Sequence, residues 1–452
     1  MQLKRTVIAG CVMAALAAIS GNAAASGFAL IEQSASGLGN AYAGGAASAE
    51  DASTIFFNPA GMSLIKGRQL VLAGHAIKPS AKLTNQGSTT ASPPAGAPVA
   101  LGGGDGGDAG DLALVPNLYY LMDVNQQVKF GFAVNVPFGL KTEYDNGWVG
   151  RYQALKSEIQ TINLNPSVSY KVNETVSLGA GVSYQYIKGE LTKAIDFGSI
   201  CTFAGAPAGV CPNTPQLNDG VFKLTGNDWS WGYNLGALFQ VGQDTRVGVA
   251  YRSRVDHELS GDATYTNVPV ALAASPSLTN TGVTLNITMP ETLSVSAASQ
   301  LGQKWTVMGD VTRTGWSKLQ ELRVRFANGA ADNVTPENWK DTYRFSVGAT
   351  YQYNDVWKSR IGVAFDQTPV PDQYRTPRVP DNDRTWLSFG ASCKASQGGV
   401  IDFGYAHLFV KDAPINKTEG IASSLPAGLT ETLRGNYNNS VDILSVQYTH
   451  SF

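Results

Sequence analysis

The chain has 452 residues, a formal net charge of −2 and 15% charged residues. That near-neutral balance gives no sign of a nucleic-acid partner. Beyond the N-terminus no apolar run reaches the roughly 20 residues that a spanning helix needs, so insertion into a membrane would have to be as a closed barrel.

The first 25 residues have the pattern of a secretory signal peptide. Lys4 and Arg5 precede an apolar stretch from Thr6 to Ile19, and Ala23-Ala24-Ala25 offers a small-residue cleavage site. "IAGC" at 8–11 resembles a lipoprotein box, but the apolar run continues past Cys11, so the box comes too early. Export is therefore expected.

Residues 26–67 do not alternate like a strand. "SGLGNAYAGGAASAEDA" is nearly all small residues, and Pro59 and the glycines argue against a long helix. It leads into "STIFFNPAGM", where Phe56 and Phe57 run into Asn58, Pro59 and Ala60. A segment with so little core of its own suits a plug, or hatch, inside a tube. Phe56 and Phe57 would pack against the inner wall, and Asn-Pro-Ala would turn the chain near the periplasmic mouth.

Residues 68–452 predict an all-β fold, a 14-stranded antiparallel transmembrane barrel. Alternation is the evidence. Val128, Phe130, Phe132, Val134 and Val136 share one face, with Lys129, Gly131, Ala133 and Asn135 on the other. Val176, Leu178, Val182 and Tyr184 repeat the scheme, as do Trp229, Trp231, Tyr233, Leu235 and Phe239. Apolar residues outside and Gly, Ser, Asn and Arg inside invert a soluble core and suit a lipid-facing wall. Strands are expected to begin near 68, 112, 128, 157, 176, 228, 245, 283, 304, 340, 356, 384, 399 and 440. Long outward connections are expected at 85–111, 194–227, 263–281, 318–339, 370–383 and 412–438.

Alternation stops within the third strand. Pro137 cannot donate a ladder hydrogen bond, and Gly139 tolerates a bend, so Pro137, Phe138 and Gly139 mark a kink. Arg246, Arg252 and Arg254 face the lumen on the seventh strand and are read as structural pairing inside the barrel. Cys201 and Cys211 lie in one outward loop, and an oxidising compartment favours a disulfide between them; Cys393 is expected to be free. "GGGDGGDAGD" at 102–111 matches G-x-G-x-x-G by accident, since no strand leads into it and no helix follows. It reads as a flexible solvated loop at the lipopolysaccharide surface.

No nucleophile motif of a hydrolase and no metal-ligand spacing is found, and His75, His257, His407 and His450 are scattered. Neither an enzyme, a metal nor a cofactor is expected. Leu444, Val446, Tyr448, His450 and Phe452 share a face of the last strand. A terminal Phe on such a strand resembles the signal read by the barrel-assembly machinery of a bacterial outer membrane.

Taken in order, "SGLGNAYAGGAASAEDASTIFFNPAGM", "WSWGYNLGALF", "YRSRV", "MPETLSVSA", "GWSKLQEL", "WKDTYRFSVGATY" and "AFDQTPVPDQYRTPRVPDNDRTWLSFG" resemble blocks of the FadL-type outer-membrane transporters. That family carries long-chain fatty acids and other hydrophobic compounds, and one branch imports aromatic hydrocarbons. The resemblance implies an outer groove, a tighter lumen pocket, a hatch that rearranges, and sideways release into outer-membrane lipid at the kinked third strand, whose kink glycine aligns with Gly139. It places Lys193 at a basic pocket position, where a carboxylate would find a cation, and Phe28 at a hatch phenylalanine that touches the ligand. A lysine at a strand end is otherwise an ordinary surface residue. The family's second basic position falls on Thr335, which shifts the balance towards neutral or aromatic substrates unless the lumen-side Arg246, Arg252 or Arg254 substitutes for it. A general porin and an outer-membrane lipase are the more distant alternatives.

Overall fold

The computed structural model describes residues 27–91, 98–205, 207, 209–211, 214–420 and 429–452. The signal-peptide expectation for residues 1–25 lies outside them. The wall is a single antiparallel sheet of fourteen staves, several of them broken into two pieces. They are β1 (Gln69–Asn85), β2 (Ala113–Asp123), β3 (Val128–Asn135 and Gly139–Glu143), β4 (Lys156–Lys171), β5 (Val176–Asp196), β6 (Asp219–Val241) and β7 (Thr245–Arg252 and Val255–Thr266). The rest are β8 (Thr281–Met289 and Thr292–Leu301), β9 (Trp305–Thr314 and Glu321–Phe326), β10 (Asn333–Pro336 and Thr342–Gln352), β11 (Trp357–Asp366), β12 (Arg384–Ser396), β13 (Gly399–Val410 and Ala413–Gly420) and β14 (Thr430–Ser451). Each pairs with the next, and β1 pairs with β14 from Gln69↔Ser451 to Asn85↔Gly435, which closes the barrel.

The alternation sorts as expected. Val168, Tyr170, Leu178, Val182, Trp231, Tyr233 and Phe403 are exposed on the outer face. Asn135, Asn163, Ser167, Ser183 and Asn234 are buried on the inner face. Trp305, Tyr353, Trp357 and Phe452 stand exposed at the short-turn end, where an aromatic girdle would meet an interface.

Several expected boundaries move. β6 begins at Asp219 rather than near 228, and β14 at Thr430 rather than near 440. The segment expected as one loop at 412–438 is mostly a hairpin, with Ala413–Gly420 paired to Thr430–Tyr437. Residues 318–339 likewise hold the paired pieces Glu321–Phe326 and Asn333–Pro336. These outer extensions stand beyond the lipid-facing band, so their apolar residues turn inward, as Ile415, Leu433, Tyr437 and Val324 do, and polar residues such as Asn416, Thr418 and Arg323 face outward; the outward apolar face that marks the lipid band is missing. The stretch at 102–111 is tied down rather than flexible. Asp108 accepts from Ala81 N–H and Ser80 Oγ at 2.8 Å each, and Asp111 pairs with Lys141 at 2.8 Å. Its glycines are needed for φ of 128° at Gly103 and 90° at Gly106. In the seventh strand the break at Ser253 reverses the inward face, so Arg254 points out, half-exposed beside Asp256 at 3.1 Å. Arg246 and Arg252 point in.

The N-terminal segment lies inside this wall as short turns: α1 (Ala35–Leu38), α2 (Gly45–Ser48), α3 (Thr54–Phe57) and a 3-10 turn (Pro59–Leu64). Its small residues meet glycines of the wall. A Cβ on Gly248 would sit 1.9 Å from Ala46 O, and one on Gly362 would sit 2.1 Å from the Asn40 carbonyl carbon. Backbone therefore touches backbone, and the segment is bonded rather than merely enclosed. Asn58 caps the 3-10 turn through Ala60 N–H at 3.0 Å and donates to Ala46 O at 2.7 Å and Ala237 O at 3.0 Å of β6. Ile55 packs on the inner wall against Met62, Val71, Tyr119, Leu121 and Ala133.

Candidate functional site

The wall is incomplete beside β3. β2 pairs with β3 only from Leu118↔Val134 to Asp123↔Lys129. Its residues 113–117 pair with β1 alone. The break falls at Val136-Pro137-Phe138, where proline removes a donor. The N-terminal segment fills it from within. Leu30 N–H donates to Pro137 O at 2.8 Å, and Gly139 N–H donates to Phe28 O at 2.9 Å. Between these bonds Ala29 and Phe138 face each other as an antiparallel bridge. Gln33 Nε2 donates to Val136 O at 2.9 Å. Above the break the wall resumes where Glu143 N–H meets Ala109 O at 3.0 Å. A cavity of about 40 Å³ remains in the gap, bordered by Pro79, Ala81, Gly110, Leu140, Thr142 and Gly27.

Two further cavities lie on the inner side. One of about 130 Å³ is bordered by Leu30, Phe56, Phe57, Pro137, Phe138 and Trp316, with Arg252 and Arg344 among its polar residues. The other, about 70 Å³ and nearly all apolar, lies nearer the long loops between Ile187, Leu191, Leu224, Leu259, Ile287 and Leu322. Between them stands an aromatic cluster. The Phe28 ring lies 4.7 Å from Trp316, 5.5 Å from Trp339 and 6.1 Å from Phe138. The same packed cluster includes Ile187, Leu259 and Ile287 of the outer cavity. Cavity, aromatic stopper, cavity and wall break thus follow one another.

The expected site residues fall at different depths. Phe28, 2% exposed, belongs to the stopper rather than to the lining of the lumen cavity. Phe56 and Phe57 border that cavity and also pack on the inner wall, Phe56 with Ile55 against the cluster of Val71, Tyr119 and Leu121, and Phe57 against the cluster that holds Ala364 and Trp386. Asn58, Pro59 and Ala60 fix the segment to β6 and β5. Lys193 lies on β5, two residues beyond Leu191, with Glu419, Glu431 and Arg378 as its charged neighbours. It does not border the lumen cavity. Cys201 and Cys211 are bridged, with Cα atoms 5.8 Å apart, at the end of a short helix α4 (Phe197–Phe203), and Cys393 is free. Arg344, Trp316 and Trp386 were not singled out in the sequence. Trp316 lies in a connection without alternation, and a single inward Arg or Trp on a strand carries no motif.

Two carboxyls of the N-terminal segment are strongly perturbed. Glu32 is 2% exposed and its Oε2 has no partner. Burial pushes its carboxyl up to about 7 against the pull of its own backbone N–H, Arg384 and Arg344. Glu50 is the opposite case. Burial would raise it, but Arg360 and Lys358 outweigh that and hold it well below the usual carboxylate range. It accepts from Arg360 at 2.7 Å and Lys358 at 2.9 Å.

Comparison with known proteins agrees with this geometry. Residues 16–452 match the family described as "Outer membrane protein transport protein (OMPP1/FadL/TodX)". The chain is 29% identical over 441 residues to the "Long-chain fatty acid transport protein" of Escherichia coli O6:H1, covering 94% of this chain and 96% of the other. It is 33% identical over 422 residues to the "47 kDa outer membrane protein" of Pasteurella multocida, covering 90% and 92%. Its fold superposes on a Pseudomonas aeruginosa FadL homologue with a TM-score of 0.83 at 26% identity, covering 94% and 100%. It matches the Ralstonia pickettii toluene transporter TbuX with a TM-score of 0.62 at 22% identity, covering 93% and 98%. A plugged, broken-walled barrel with apolar cavities in series and this match along nearly its whole length belongs to the OMPP1/FadL/TodX family, outer-membrane transport channels for hydrophobic compounds rather than enzymes.

Proposed function

We propose that this channel takes up long-chain fatty acids passively and releases them sideways into the outer membrane at the break in β3. One observation supports the reading: the break is bridged from within by the Phe28–Leu30 segment, and not by a neighbouring strand. The apolar cavity near the long loops would receive the tail, since each CH₂ leaving water gains about 0.8 kcal/mol, and Lys193 would meet the carboxylate there. The segment from Phe28 to Ala60 acts as the hatch, and its withdrawal joins the lumen cavity to the gap. Lipid and lipopolysaccharide surround the exposed apolar face, and Phe452 at the end of β14 is the handle for barrel assembly.

Neutral monoaromatic compounds are a second reading. The lumen cavity of about 130 Å³ is close to the roughly 150 Å³ that admits benzene. Competition between oleate and toluene on the purified barrel, with Lys193→Ala beside the wild type, separates the two. Oleate binding weakened but not abolished in the variant supports the acid; toluene competing well, with the variant unaffected, supports the hydrocarbon. The gate has its own test. A Cβ on Gly139 meets Leu30 Cδ1 at 3.0 Å, so Gly139→Val is expected to lower uptake in a folded barrel, and unchanged uptake would remove the lateral gate.

A further inference from the structure

The lumen cavity has an unexplained charge. The Arg252 guanidinium is held by Ser183 Oγ at 3.1 Å and Phe56 O at 2.9 Å, and lies 4.3 Å over the Phe56 ring. None of these is an anion. Arg344 donates from Nη2 to Ala41 O at 2.6 Å and lies 5.1 Å over Trp386, while its Nε and Nη1 have no partner. Other buried arginines are matched: Arg151 with Asp219 at 2.7 Å, Arg360 with Asp402 at 3.1 Å, and Arg384 with Asp381 at 2.7 Å. Burying a guanidinium without a counter-ion is unfavourable, and a bound anion would recover part of that cost. The cavity does contain carboxylates. Asp310 accepts from Ser296 and Thr312, and Asp366 stands beside Arg344 in the ladder. Asp310 and Glu32 lie in the field of Arg344, whereas the titratable neighbour acting on Arg252 is Tyr119, a neutral phenol.

We propose that the lumen cavity is a second carboxylate station, in which Arg252, assisted by Arg344, holds the head group of an acidic amphiphile immediately behind the break in β3. It deepens the uptake reading and rests on it. Leu30, Ile31, Phe57, Pro137, Phe138 and Trp316 supply the apolar part of the lining, so head and tail are both provided for. About 130 Å³ is benzene-sized and takes a carboxylate with a short run of methylenes. The remainder of a long tail would displace Leu30 or enter the gap, which are the parts that must move for release. Lys193 lies beyond the Phe28 stopper and cannot be the same station. An acid would pass from one cation to the other, whereas a neutral hydrocarbon would meet no reward at either.

The test compares dodecanoate with dodecanol by equilibrium binding to the full mature protein in lipid nanodiscs, with empty nanodiscs subtracted. All arms use a Lys193→Ala background, so that the outer cation contributes nothing. Arg252→Gln is expected to weaken dodecanoate about tenfold while moving dodecanol less than about twofold, and Arg252→Lys to keep most of the acid preference. Equal loss of both probes, or no loss of the acid, overturns the station. A measurement on unsubstituted Arg252 guards against a misfolded variant: the carboxyl resonance of bound [1-¹³C]dodecanoate should titrate below its position in free nanodiscs. Titration at or above that position overturns the station as well. If neither dodecanoate nor dodecanol binds even with Lys193 and Arg252 intact, it is the uptake reading that fails. If both bind and only the acid preference is missing, the uptake reading stands and the station does not.

Discussion

Leu30 and Pro137 are joined by a backbone hydrogen bond of 2.8 Å, from the N–H of the one to the carbonyl of the other. Leu30 belongs to the segment inside the barrel and Pro137 to its wall. Their bond, with that from Gly139 to Phe28, makes the N-terminus a substitute strand across the gap beside β3. Ala29 and Phe138 form the non-hydrogen-bonded pair between these bonds, the arrangement with the shorter Cα separation, about 4.5 Å. That lies within reach of a disulfide. In a Cys393→Ser background, Ala29→Cys with Phe138→Cys should abolish uptake when oxidised and recover it on reduction. Single-cysteine controls reduced in parallel account for the Cys201–Cys211 bridge. Full uptake in the oxidised double variant would show that the segment need not leave the break.

Glu50 ties the other side of the segment to β11 through Arg360 and Lys358. A carboxyl held below its unfolded value stabilises above that unfolded value, and the contribution fades only as pH falls through the depressed one. Attachment should therefore be insensitive to pH between about 5 and 8. Glu50→Gln removes the charge outright and leaves Arg360 with Asp402 alone. The expected result is a loss of about 1–3 kcal/mol in anchoring, read as increased passage of small hydrophilic solutes into liposomes with the barrel's melting little changed.

Glu32 behaves in the reverse sense. Its carboxyl is raised to about 7 by burial, so the folded protein prefers it protonated and loses stability as pH rises from about 4.5 through 7. Arg384 and Arg344 limit the shift, and Asp366 adds to it. Glu32→Gln keeps a neutral group of the same shape. The variant should melt higher than the wild type at pH 8 and nearly level with it at pH 5. An equal difference at both values would assign the effect to packing.

The Cys201–Cys211 bridge closes a loop with a sequence separation of 10, for which chain entropy suggests a contribution of about 2–3 kcal/mol. Replacing both cysteines by serine should expose the α4 loop to protease and leave the heat-modified mobility of the barrel unchanged, because α4 lies outside the closed ladder. Loss of the folded barrel would mean that the loop supports the wall.

What was legible in the sequence was whatever repeats with period two or breaks that period. Val128 to Val136 revealed the wall, Pro137 its interruption, and the small residues before Phe56 a segment made to fit inside. Strand limits failed where the staves leave the lipid band, as at Asp219 and Thr430, because the apolar residues there, Phe222 and Leu224 or Leu433 and Tyr437, face inward and no apolar face is turned to lipid. Arg254 was placed on the wrong face because a break at Ser253 reverses every later side chain.

The sequence by itself determined a closed, lipid-facing barrel with a plug and a kinked third strand, since each follows from local hydrophobic alternation or its local absence. Only the tertiary structure decided that Phe28 to Leu30 patches the kink, that Phe28 joins Trp316 and Trp339, and that Arg252 and Arg344 share one cavity. Those relations connect residues about ninety or more positions apart, and they arise from how closure of the barrel carries β3, β7, β9 and β10 around the same enclosed segment.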